Sequence, residues 1–279
     1  MNWIVTKKQS LLEALEEMSP DSSKTTLRSW IAEGRIWLEG VQVKDPRKEV
    51  RPHNSIELEK KRQFFRNGME IVYQDPFILV IYKPAGLLTV PTDTDLQENA
   101  FEWLKMEFRR RTIYPAHRLD QDASGILVFA FSLEAQEDLK KQFEEHAILR
   151  EYLAVVEGSF LEKKGMWQSY LVEDGNFVVH SVKDPSKGKL ATTHYEVIKE
   201  KDGASVLRVS LETGRKNQIR VHSSDVGHPI LGDKKYGSKR PFHGRIALQA
   251  CKLGLRHPVT QKPLLFTRNP DEEFAFFLR

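Results

Sequence analysis

The sequence predicts an α+β protein, in which a small N-terminal block of two helices and short strands precedes a larger domain with a mixed, largely antiparallel sheet. Three observations carry this. Apolar residues recur at helical spacing only over short stretches, as in Leu11, Leu12, Leu15 and Met18. Runs of strand length recur from Glu70 to Phe266 with few helical patterns between them. Between the two regimes, Lys60 to Gly68 is rich in charge and has no period, as a linker would. Length agrees, since 279 residues at roughly 150 per domain leave room for two. The expected division is residues 1–60, a linker at 61–68, and a second domain at 69–279.

The first helix is expected over Ser10 to Met18. The second spans Ser23 to Ala32, with Leu27, Trp30 and Ile31 on one side and Gly34 placed for a left-handed cap. Short strands follow at Arg35–Leu38, Val41–Lys44 and Ser55–Glu59, with a tight turn at Glu39-Gly40 between the first two. In the second domain strands are expected at Glu70–Tyr73, Phe77–Tyr82, Gly125–Phe131, Glu151–Glu157, Thr193–Glu200, Ser205–Glu212, Ile246–Leu255 and Lys262–Phe266. Helices are expected at Glu98–Arg111 and Leu133–Glu145.

Composition narrows the function classes. Apolar residues (40%) and aromatics (10%) suffice for a core. The longest apolar runs, Phe77 to Tyr82 and Gly125 to Phe131, fall far short of the roughly 18 residues of a membrane span, so a soluble cytoplasmic protein is expected. One cysteine, Cys251, excludes an internal disulfide and any CxxC metal site. The net charge of +4 is uneven: residues 205–268 hold 13 basic against 3 acidic side chains, and residues 1–68 hold 13 against 10. Two positive surfaces suit a polyanion, of which nucleic acid is the commonest in the cytosol.

There is no GxxxxGK[ST], no GxGxxG after a strand, no HExxH and no GxSxG, and the nine histidines form no trusted metal-ligand spacing. Chemistry without metal or nucleotide cofactor is the expectation. The run His117-Arg-Leu-Asp120-Gln-Asp-Ala-Ser-Gly125 enters an apolar strand, a place where a loop presents side chains from a fixed backbone. On spacing alone the bland reading leads, with Asp120 a turn or capping residue, Arg118 its solvated neighbour and Gly125 a turn glycine. A second cluster, Glu212-Thr-Gly-Arg-Lys-Asn-Gln-Ile-Arg-Val-His222, ends a strand and opens a basic helix. Its Arg215 and Arg220 suit phosphate or carboxylate through planar guanidinium forks, and a solvated basic helix is the other reading. Gly227 to Asp233 and Tyr236-Gly237 read as a turn-rich loop.

These residues resemble a known family. His117 to Gly125 is similar to the catalytic motif of the RluA-type pseudouridine synthases, Lys83-Pro-Ala-Gly86 to its first motif, Glu151-Tyr-Leu-Ala-Val-Val-Glu-Gly158 to its tyrosine strand, and Thr213 to Gly237 with His257-Pro258 to its C-terminal motif. Residues 1–59 resemble an alpha-L RNA-binding domain, with Leu27 to Gly40 carrying the pattern. Gln121 stands where a basic residue is frequent, Ala123 where Thr is, and Asn217 and Gln249 where His is.

The resemblance implies a pseudouridine-synthase fold and an enzyme that isomerises uridine in structured RNA, large-subunit ribosomal RNA foremost. It implies no cofactor, no membrane and a monomeric chain. Asp120 is then the catalytic aspartate, Tyr152 the active-site tyrosine and Arg220 the arginine that pairs with the aspartate and keeps it charged. Arg118 would help hold the flipped nucleotide and Ile219 would line the pocket. Arg215, Lys83, Lys24, Arg28 and Arg35 would contact RNA. The chemistry breaks a glycosidic bond, turns the ring and joins a carbon to the sugar, which needs an extruded base in a closed pocket. Two other readings remain open at this point: a non-catalytic RNA-binding or ribosome-assembly factor, and a metal-dependent nuclease or phosphotransferase, which activity in excess EDTA would separate from the synthase.

Overall fold

The computed structural model describes residues 2–59, 63–65, 67–92, 96 and 98–279, with Gln63 and Phe64 described for their backbone only. Residues 60–62 and 66 of the expected linker lie outside these. The chain divides into two units, Met1–Arg62 and Gln63–Arg279.

The first unit contains β1 (Asn2–Ile4), β2 (Gln9–Ser10), α1 (Leu11–Met18), α2 (Lys24–Ala32), β3 (Ile36–Leu38), β4 (Val41–Gln42), β5 (Glu49–Val50) and β6 (Ser55–Leu58). Both helices start at serine caps: Ser10 forms a reciprocal capping box with Glu13, and the Ser23 hydroxyl accepts from Thr26 N–H. Glu39 and Gly40 both have positive φ, 52° and 74°, the turn that joins the antiparallel strands β3 and β4. Strand order is β1-β6-β3-β4, and β2 pairs β5. Leu11, Leu15, Leu27, Ile31, Ile36 and Ile56 close a core of their own between the helices and the sheet. The unit is therefore not two helices followed by a sheet: β1 precedes them, too short at three residues to show an alternation.

The second unit contains β7 (Gln63–Phe64), β8 (Glu70–Gln74), β9 (Ile78–Lys83), α3 (Ala100–Glu107), β10 (Tyr114–Pro115), β11 (Ser124–Ala130), α4 (Leu133–Glu144), β12 (Leu149–Glu157), β13 (Lys164–Glu173), β14 (Val179–Val182), β15 (Lys189–Lys201), β16 (Ala204–Leu211), α5 (Gln218–Asp225), β17 (Leu248–Arg256), β18 (Pro263–Thr267) and α6 (Ala275–Leu278). These strands form one large sheet, ordered β14-β13-β15-β16-β12-β17-β11-β9-β8-β7, with β10 on β11 and β18 on β17. Among the described residues one ladder of the sheet, β11–β17, is parallel. The pairing of β7 with β8 places Gln63 and Phe64, expected in the linker, inside this unit.

Five elements of this unit escape the sequence pattern, β7 and β10 among them at two residues each. β13 buries only Trp167 and Leu171 among its ten residues, so its alternation is faint. β14 is four residues long, and α6 is a single turn. α5 departs from the solvated alternative, since Gln218 to Ser223 are all buried. The centre of the sheet is pinned by Gly125, at φ 138°. A Cβ there would lie 2.5 Å from the backbone N and O of Ala250 on β17. Only glycine allows the two strands to meet so closely, directly after the His117–Ala123 loop. No helix among the described residues is long and apolar enough to cross a membrane.

Candidate active site

The 116–123 loop is held from beneath. Lys83, at the end of β9, is fully buried, and its Nζ lies 2.7–3.1 Å from four carbonyl oxygens, those of Pro84, Leu87, Gln121 and Ala123. Burial pulls this amine down to about 7, and Asp120 and Asp122 pull it back up. A cage of four acceptors suits the protonated ammonium. Lys83 is therefore no RNA contact, contrary to the sequence expectation: it ties the 83–89 segment to the loop. Thr89 Oγ1 completes the clamp by donating to Leu119 O and accepting from Leu119 N–H. On the other side His117 Nε2 accepts from Val128 N–H at 3.1 Å, and its ring stacks on Phe143. Burial pulls His117 down to about 3, so the neutral imidazole that accepts this bond is the stable form.

So held, Asp120 presents a carboxylate that is 19% exposed at the floor of a pocket of about 540 Å³. Tyr152, from β12, Ile219 and Asn217, from the start of α5, and Leu119, Ala123 and Leu248 line it; Arg118, Arg150 and Arg215 supply positive charge. Burial pushes the Asp120 carboxyl above its ordinary value, against the pull of Arg220, Arg118, Lys83 and the Asn217 N–H. The expected depression by Arg220 is thus outweighed. Burial also pushes the Tyr152 phenol up to about 12, so it is neutral over the working pH range. Among the described residues its neighbours act on it through charge, Arg150, Asp120 and Cys251, and none through a hydrogen bond to the hydroxyl.

Arg220 joins the site, but not mainly as expected. Its closest carboxylate is Asp233, which takes Nε at 2.6 Å and Nη2 at 2.8 Å with both side chains buried. Asp120 lies 3.8 Å away and Asp122 3.9 Å. The Tyr236 ring packs against the guanidinium at 5.0 Å. Asp233 and Tyr236, read from sequence as turn residues, thus hold the arginine in place.

Arg118 is exposed at the pocket wall, and Arg215 is exposed with Nε donating to Leu190 O. Arg150 was missed. It is 8% exposed, packs over Phe143, and donates from Nη2 to Glu212 O, with Nε unpartnered. Its signal was its place two residues before Tyr152 on one strand, hence on the same face. A groove lined by Lys187, Lys189, Arg215 and Lys216 shares Gly214 to Lys216 with the pocket and carries positive charge away from it.

In the first unit Lys24 and Arg28 are exposed, Lys24 paired with Glu16 at 3.1 Å. Arg35 is not free for phosphate. Its side chain is 13% exposed, donates to Glu59 O at 3.0 Å and lies over Trp30. No three His, Cys, Asp or Glu side chains among the described residues converge to hold a metal ion.

A partly buried carboxylate beside an unpartnered phenol, inside a cationic rim, suits reaction on a ring drawn in from a polyanion. Comparison with known proteins agrees. A family model for RNA pseudouridylate synthase matches residues 77–225. Ribosomal large subunit pseudouridine synthase D of Pasteurella multocida is 32% identical over 90% of this chain and 85% of its own. That of Nitrosomonas europaea is 31% identical over 96% and 83%. The solved structure titled human RNA pseudouridylate synthase domain containing 1 superposes with a TM-score of 0.61 over 76% of this chain and 86% of its own, at 24% identity, a likeness of fold. With the family model spanning more than half of the chain and these relatives nearly all of it, the chain belongs to the RNA pseudouridylate synthase family.

Proposed function

We propose that this enzyme isomerises uridines of large-subunit ribosomal RNA in the cytoplasm, with Asp120 as the reacting carboxylate. The observation that carries the assignment is the place of Asp120: a partly buried carboxylate at the floor of the pocket, beside α5 and facing Tyr152. The substrate class rests on the relatives named for the ribosomal large subunit, which match nearly the whole chain, first unit included.

In this reading the target base leaves its stack and enters the pocket, where Tyr152 stacks on it and Ile219, Leu119 and Leu248 keep water away. Arg118 at the wall meets the extruded nucleotide's backbone. The groove of Lys187, Lys189, Arg215 and Lys216 carries the flanking phosphates. Asp120 acts ionised, at the sugar or at the ring. Because burial raises its pKa, the rate falls as pH drops through that raised value, so the acid limb sits above where an unperturbed aspartate would put it.

Base-resolved pseudouridine mapping of total RNA, from cells with and without the gene, tests the substrate. The expected result is loss of pseudouridine at defined large-subunit positions; loss in transfer RNA alone would overturn the ribosomal assignment. On the mapped RNA, Asp120→Asn should bind normally and lose about a thousandfold or more in single-turnover rate, the scale of a removed catalytic group. A rate within tenfold of wild type would sink the assignment of Asp120.

A further inference from the structure

Asn217 caps α5 without capping it. It holds a left-handed backbone, φ 54° and ψ 19°, and makes no side-chain bond to the helix's free N–H groups. An asparagine at this position normally accepts from the first turn, a bond worth about 1 kcal/mol to the helix. Here the amide turns the other way. Its nitrogen lies 3.0 Å from Asp120 Oδ2 and 3.1 Å from Oδ1, and its oxygen accepts from the Tyr236 hydroxyl at 2.9 Å. The network assigns this orientation, because the reverse would set the amide oxygen against two carboxylate oxygens in return for one long bond, at 3.4 Å, from Arg220 Nη1. The left-handed backbone adds the Asn217 N–H on the same side of Asp120.

We infer that Asn217 is the positioning residue of Asp120, and that Tyr236 acts through it by fixing which end of the amide faces the carboxylate. The inference rests on Asp120 being the reacting group. A donor nearly equidistant from both oxygens fixes the rotation of the carboxylate, and it bonds the ionised form only. The forfeited cap is what a site would give up for orientation. Tyr236 is itself built in: it is 9% exposed, its N–H donates to Asp233 O, and its hydroxyl accepts from Val179 N–H at 3.3 Å. Asn217 is also buried, so its amide is sheltered from water.

Other groups face Asp120 and contribute to its titration: Arg118 and Asp122 from its own loop, Lys83 from β9, Arg220 from α5 and Tyr152 from β12. Among them Arg220 touches both residues to be changed, with Nη1 3.4 Å from the Asn217 side-chain amide and its guanidinium on the Tyr236 ring, a ring that Tyr236→Phe keeps, so the readout is taken at the Asp120 midpoint itself. It is measured by 13C NMR on protein labelled at aspartate carboxyls, with the Asp120 signal assigned by its loss in Asp120→Asn. Removing a hydrogen bond to a buried charge, at 1.36 kcal/mol per unit, should raise the midpoint by about one to two pH units in Asn217→Ala. The acid limb of the single-turnover rate should move with it while RNA affinity stays within about threefold. Tyr236→Phe should give a smaller rise, and the double variant no more than Asn217→Ala, since the tyrosine acts through the asparagine.

An unmoved midpoint in folded Asn217→Ala overturns the inference, as does additivity of the two changes. If Asn217→Ala does not fold, Asn217→Ser and Tyr236→Phe decide by the same midpoint. Should the wild-type enzyme form no pseudouridine, the functional reading falls, yet the NMR midpoint still decides whether Asn217 holds Asp120.

Discussion

Arg220 grips Asp233 at 2.6 and 2.8 Å and reaches towards Asp120 only at 3.8 Å, so its loss would act on two things at once. Removing one partner of a buried ion pair leaves the other charge stranded, at about 3–5 kcal/mol. Arg220→Met should therefore lower the denaturant midpoint as well as the rate. The double variant Arg220→Met/Asp233→Leu should recover much of the stability but none of the activity, because Asp120 still lacks its neighbouring cation. If denaturation and single-turnover assays show both recovering together, the arginine was structural alone. Lys83 belongs to the same scale. Lys83→Met would take their shared donor from four carbonyl oxygens; that of Gln121 keeps the Gly86 N–H, and each one left unsatisfied costs about 1–3 kcal/mol. The expected outcome is a lower melting temperature and an unchanged slope of log K against log salt for RNA. A smaller slope with unchanged melting would restore Lys83 as a phosphate contact.

At the scale of elements, the strongly periodic segments were legible and the weakly buried ones were not. β9 and β11 are buried along their whole length, so they appear as unbroken apolar runs. The serine-capped α1 and α4 show their starts in the sequence. β13 and β14 line the far edge of the sheet and bury only three of their fourteen residues, so nothing in a one-dimensional pattern marks them. The site divides in the same way. Asp120, Tyr152 and Arg220 were nameable because motifs carry them, whereas the Asp233 and Asn217 contacts depend on how a turn-rich loop and a left-handed cap fold back, which spacing does not encode. Gly125 was legible as a residue but not as a cause. Its role is the close approach of β11 and β17, and Gly125→Ala should disrupt that junction, lowering the melting temperature sharply and the rate with it. Ala250→Gly should not rescue it, because the new Cβ also meets the backbone N and O of Ala250 at 2.5 Å. Normal melting in Gly125→Ala would mean that the strands can part without harm.

At the scale of the whole molecule, each unit closes a core of its own, and the assigned catalytic side chains all belong to the second. The truncation that tests the division should remove residues 1–62 and stop there. Cutting at residue 65 would take away β7, the strand on β8, and Phe65, which packs with the core around Leu79 and Phe129. The protein lacking residues 1–62 should fold and convert uridine at saturating RNA, with weaker affinity and less preference for its natural site. Phosphate contacts set affinity and salt dependence, whereas Asp120 and its neighbours act on the base. The first unit offers fewer free cations than its composition suggests. Arg35 is engaged with Glu59 and Trp30, and Lys7, Lys8 and Lys24 rest against Glu17, Glu49 and Glu16. Those three lysines are exposed, and surface pairs of this kind contribute little, so each exchanges its carboxylate for a phosphate at little loss. With exposed Arg28 they give up to four contacts, and the slope of log K against log salt should shrink by about 0.7 for each single-strand contact removed. An unchanged slope and affinity would show that the first unit does not touch RNA. Failure of residues 63–279 to fold would show that the two cores are not independent.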